Sequence, residues 1–127
     1  MEQINKLKST LPKEAVRESV IAKGLLIGTE SARISISEHR SIETISATKT
    51  ISVPSNVNKV VIFLGSWTIH FGKEKLEHHK LGQLTIDYGI ESFIDDKLKT
   101  KVNVSLSDKL GDQKWGGVFE LVVMMFG

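Results

Sequence analysis

From Gly24 to the C-terminus, apolar side chains recur at every second position, the period of a strand with one buried face. Ala32, Ile34 and Ile36 alternate with Arg33, Ser35 and Ser37, and Glu38 to Ser41 then reads as a turn. Ile45, Ala47, Ile51 and Val53 share a face opposite Thr44, Ser46, Thr48, Thr50 and Ser52. Lys49 falls on the apolar side of that strand, which predicts a bulge or an edge position. After Pro54-Ser55-Asn56 a long strand opens at Lys59. Its alternation places Val61, Phe63, Trp67, Ile69 and Phe71 on one face. Val60, Ile62 and Leu64 fall on the other, giving way to Ser66, Thr68 and His70, with a bend expected at Gly65. Leu84, Ile86 and Tyr88 form a further strand, and Val102, Val104 and Leu106 another. Gly72 to Lys80, Gly89 to Lys99 and Asp108 to Asp112 read as polar connections.

The last segment differs from the others. Between Val118 and Phe126 the one polar side chain is Glu120. Phe119, Leu121, Val123 and Met125 share one face, and Val118, Val122, Met124 and Phe126 share the other. One face suits the core of the domain. The second also needs cover, and a partner chain can supply it.

Ahead of Gly24 the period is lost. Residues 1–11 read as a polar arm, and Pro12 with Glu14 resembles the first turn of a short helix that Gly24 would end. The expected organisation is an N-terminal arm or short helix over residues 1–23 and a single domain over residues 24–127. Seven or so strands joined by Gly, Asp and Asn turns predict an all-β fold, an antiparallel β-sandwich of jelly-roll-like form.

Composition narrows the picture without naming an activity. The 127 residues suffice for one domain, and the absence of cysteine excludes disulfides and thiolate chemistry. No apolar run reaches the roughly 18 residues that span a bilayer, and no signal peptide is visible at the N-terminus. The sequence does not give a location; the cytoplasm and an assembled or exported particle both fit it. The net charge of +2 resides in residues 1–23, whereas acids and bases balance from Gly24 onward. Phosphate recognition needs clustered Lys and Arg, so nucleic acid is not an expected partner.

Chemistry-bearing motifs are equally sparse. His78 and His79 follow Glu74 and Glu77, yet the spacing matches no metal signature and reads as a solvated loop. Leu64-Gly65-Ser66-Trp67 lacks the second glycine of a nucleophile elbow. Asp95-Asp96 and Asp108/Asp112 fit turn formation better than acid–base work. No enzyme, metal or cofactor is expected. The favoured function is a structural or interaction module that self-assembles or docks to a protein partner. The contact would use the arm and the apolar positions Val118, Val122, Met124, Phe126, Val60 and Ile62. The alternative is a lectin-like module that recognises carbohydrate or another ligand through Trp115, Tyr88, His70 and His78, with Trp115 expected to be exposed in a turn formed by Gln113-Lys114-Trp115-Gly116.

Overall fold

The computed structural model describes residues 12–16, 24–40, 44–71, 81–108 and 114–127. All of their regular structure is strand: β1 (Lys13–Val16), β2 (Leu26–Arg40), β3 (Thr44–Ser52), β4 (Lys59–Phe71), β5 (Leu81–Ile94), β6 (Lys97–Asp108) and β7 (Lys114–Phe126). The strands form two antiparallel sheets, ordered β1-β4-β7-β2 and β3-β6-β5. No helix of the described residues is long and apolar enough to cross a membrane.

Both sheets turn one face toward a single core. Sheet one contributes Ala32, Ile34 and Ile36 from β2, Val60 and Ile62 from β4, and Phe119, Leu121 and Val123 from β7. Leu84, Ile86 and Tyr88 from β5 and Leu98, Val102, Val104 and Leu106 from β6 meet them from the three-stranded sheet. Removing such a side chain from water contributes about 1.5–3 kcal/mol. β7 lies between β4 and β2, so its backbone is paired on both sides. A strand that is apolar on both faces suits that central position.

Residues 13–16 correct the expected helix. They pair with Lys59–Ile62, Lys13 opposite Ile62 and Val16 opposite Lys59. The interrupted apolar stripe of this segment gives a helix little to bury, whereas Ala15 at period two packs against the core. Residues 17–23, where the helix would continue, lie outside the described residues.

Two bulges correct the expected connections and faces. Between Leu64 and Ser66 the register against β7 shifts by one, and Gly65 is the extra residue. A Cβ at Gly65 would lie 2.7 Å from Val122 Cγ2 and 3.3 Å from the Glu120 carbonyl oxygen, so the strands approach closely there. The shift puts Val60, Ile62 and Leu64 on the same side as Trp67 and Ile69, all toward the core. Val61 and Phe63 face outward with Ser66, Thr68 and His70. A second shift, between Ile90 and Ser92, returns Phe93 to the core side. The stretch expected to be a polar connection is thus the end of β5, a two-residue turn and the start of β6. Asp95 and Asp96 make that turn with φ of 52° and 62°. Such a pair of left-handed residues is the hairpin geometry that Asp tolerates and that matches strand twist.

Lys49 sits on β3, an edge strand, opposite Thr100 and without a register shift. The edge position is the one of the two expected devices that the structure uses. Thr100 is fully buried, and its hydroxyl donates to the Lys49 carbonyl oxygen at 2.9 Å.

Tyr88 carries a pH dependence. Only 3% of it is exposed. Burial pushes its phenol above the ordinary value, the nearby Asp87 carboxylate adds to this, and a backbone hydrogen bond with Leu64 opposes it. The protonated form is therefore favoured by folding. This contribution is complete below the unfolded phenol pKa of about 10 and is lost as pH rises through the higher folded value. Urea midpoints measured between about pH 8 and pH 11 should fall at the alkaline end, and Tyr88→Phe should flatten that step. An unchanged alkaline profile in Tyr88→Phe would remove Tyr88 as its source.

Candidate functional site

The outward faces of the two sheets have opposite chemistry. On the three-stranded sheet, Thr, Ser, Lys and Asn fill the outward positions and satisfy one another laterally. Thr44 and Ser105 share a hydroxyl–hydroxyl bond of 2.6 Å, Ser46 donates to the Asn103 side-chain oxygen, and Lys97 donates to Ser52 at 3.0 Å. Glu91 lies 3.7 Å from Lys99 and 3.9 Å from Lys101, two exposed ion pairs. Exposed pairs of this type contribute between zero and about 1 kcal/mol each. A shallow depression of about 330 Å³ opens over Gly89, with Asp87, Glu91, Lys101 and Asn103 around it. A Cβ at Gly89 would meet nothing within 4 Å. Its one aromatic residue, Tyr88, is buried.

The outward face of the four-stranded sheet is apolar over its lower half. β7 supplies Val118, Val122, Met124 and Phe126, each half-buried. Val61 stands opposite Met124 and Phe63 opposite Val122 on β4. Val16, Leu26 and Ile27 border them and are exposed by 46%, 49% and 38%. Charges frame the patch. Lys59 and Glu14 approach to 3.8 Å, and Lys59 Nζ lies 5.9 Å from the centre of the Phe126 ring. Arg33 is the register partner of Glu120 at the upper border. Above it the face turns polar through Ser66, Thr68 and the exposed His70.

The structure separates the sequence-predicted residues sharply. Val118, Val122, Met124 and Phe126 come together on one outward face. Val60 and Ile62, expected beside them, are fully buried in the core, and their places are taken by Val61 and Phe63. The Gly65 bulge is the reason. β7 also offers no edge for strand addition, because both its sides are paired. Trp115, expected in an exposed turn, belongs to β7 and is fully buried, and Tyr88 faces the core. Neither ring presents a face to a sugar. His78 and the Gly72 to Lys80 loop lie outside the described residues, as does the N-terminal arm over residues 1–11. Among the described residues, no three His, Cys, Asp or Glu side chains are grouped to hold a metal ion.

Val16, Leu26 and Ile27 were missed by sequence reasoning. They flank the unpatterned N-terminal segment, and only strand pairing brings them to the patch. Comparison with protein-family models, curated proteins and solved structures finds no match to this chain.

Proposed function

We propose that this protein is a non-enzymatic assembly module, a jelly-roll-type β-sandwich whose four-stranded sheet associates through its outward face. The observation that carries this reading is β7 itself, a central strand with apolar side chains on both faces. Its inward row is served by the core. Its outward row is joined by Val61, Phe63, Val16, Leu26 and Ile27 in a patch with a polar rim, the make-up of an interaction surface. A second copy of the chain suits the patch best. Glu14, Lys59, Arg33 and Glu120 bring both signs of charge to the rim, so the same surface can complement itself about a twofold axis.

The strand orders support the jelly-roll reading. β2 pairs with β7 and β3 with β6, and these two partners go on to pair with β4 and β5. That is the order produced when one long antiparallel hairpin is wrapped into two sheets. Carbohydrate recognition has less support. Its aromatic candidates lie in the core, and the depression over Gly89 offers polar side chains without an exposed ring.

The test is Val122→Lys, followed by molecular mass in solution and far-UV circular dichroism. A folded protein of lower mass than the wild type is expected, since an unpaired charge is costly in an apolar contact. A wild-type protein that is monomeric at all concentrations and captures no partner would end this reading.

A further inference from the structure

The outward face of the four-stranded sheet carries an internal match that selects one way of packing two copies. β4 and β7 lie side by side, and their outward residues are register partners: Lys59 with Phe126, Val61 with Met124, Phe63 with Val122 and Ser66 with Glu120. The two rows change character at the same level. Both are apolar at Val61–Met124 and Phe63–Val122, and both turn polar at Ser66–Glu120, where Ser66 Oγ lies 3.4 Å from Glu120 Oε1. At the lowest level the Lys59 ammonium lies 5.9 Å from the centre of the Phe126 ring. The flanking strands repeat the match. Val16 stands beside Lys59 and Leu26 beside Phe126, both apolar, while Glu14 beside Val61 and Thr29 beside Met124 are both polar.

Two sheets packed face to face keep their strand directions within about 30° of each other, so a twofold axis runs either along the strands or across them. An axis along the boundary between β4 and β7 lays each row over the other row of the partner. Phe63 then meets the partner's Val122, Val61 meets the partner's Met124, and Val16 comes over the partner's Leu26. Glu120 falls beside the partner's Ser66, a hydroxyl that can donate to it. Lys59 comes over the partner's Phe126, a cation on a ring face.

The other axes mismatch the same residues. Placed on β7, the axis stacks Glu120 on its own copy and Phe63 on the partner's Ser31. Placed between β7 and β2, it sets Val122 on the partner's Ser31. Turned across the strands at the level of Val123, the middle of the apolar rows, it drives Glu120 onto the partner's Phe126. A carboxylate buried in an apolar contact without a partner is costly.

We propose that two copies of this chain pack about a twofold axis parallel to the strands along the β4–β7 boundary, β4 of each lying over β7 of the other. The arrangement rests on the association reading and adds to it which residues meet.

The cysteine-free chain gives a direct test. With sheets about 10 Å apart, strands about 4.8 Å apart and a rise of about 3.4 Å per residue, the two copies of Ser66 lie roughly 11 Å apart in this arrangement. An axis across the strands would separate them by roughly 23 Å. The same two separations apply to Lys59, at the other end of the patch. Both exceed the Cα separation that a disulfide bridges, about 7 Å at most, so a short bismaleimide is the probe. Ser66→Cys and Lys59→Cys, each alone, should give cross-linked dimers by denaturing mass, and Thr48→Cys, on the outward face of the other sheet, should not. Two outcomes overturn the arrangement while the association reading stands, because the wild type remains dimeric by native mass. In one, dimers form only when Ser66→Cys and Lys59→Cys are mixed, as an axis across the strands requires. In the other, neither variant links better than Thr48→Cys. A monomeric wild type would instead remove the association reading, and the arrangement with it.

Discussion

Trp115→Ala is expected to lower folding stability by about 3–5 kcal/mol, the range for truncating a fully buried aromatic. Trp115 has no exposed surface and lies at the start of β7, the strand that joins β2 to β4. Its removal leaves a cavity in a sheet held by backbone pairing on both sides, where relaxation is restricted. Trp67→Ala should cost less, because Trp67 is only half-buried. Urea denaturation of the two variants gives the comparison. A Trp115→Ala protein as stable as the wild type, or less affected than Trp67→Ala, would refute the burial order described above.

Val123→Lys should go further and prevent folding. Val123 is fully buried between the sheets, opposite Ile62 on β4. A lysine there must either hold an unpaired charge in the core or surrender its proton, at a cost of several kcal/mol. Domains of this size have about 5–15 kcal/mol of stability in all, so little or none would survive. Val122→Lys, one residue earlier, places the same charge on the outward face and should leave the circular dichroism spectrum unchanged. The contrast between neighbours is the sharp readout. Equal damage from both would mean that the outward face is covered within the subunit.

These two residues also show how much the sequence could reveal. β7 runs without a bulge, so counting by two assigned Val122 and Val123 to their faces correctly. Counting failed wherever the backbone added a residue. Across Gly65 the phase slips by one, and Val60 and Ile62 were grouped with Ser66, Thr68 and His70 when they belong with Trp67. The second slip, near Ser92, disguised the end of β5 as a polar connection. Glycine announced a local irregularity at position 65, but its consequence for the faces required the observed register. Trp115 misled for another reason. Glycines on its C-terminal side and polar residues ahead of it suggested a turn, whereas Gly116 and Gly117 serve close backbone approach within a strand; a Cβ at Gly117 would lie 2.5 Å from the Thr68 carbonyl oxygen. The apolar outward row was therefore legible, and its neighbours from β1, β2 and β4 were not, since strand order is a property of distant pairings.

The order of the strands sets a timetable for synthesis. All three members of the β3-β6-β5 sheet have been made once the chain reaches Asp108, and the two-residue turn at Asp95-Asp96 brings β5 and β6 together locally. The four-stranded sheet must wait. β7 is the strand to which β2 and β4 are both bonded, so Ala32 and Leu64 lack their shared β7 partner until Leu121 has been translated. During that interval the inner face of the earlier sheet, with Ile86, Val102 and Val104, has nothing to cover it. Non-local pairing of this kind is slow, and uncovered strands aggregate. The nascent chain should therefore be most vulnerable after β6 has emerged and before β7 is released, the interval in which a chaperone would have most effect on yield.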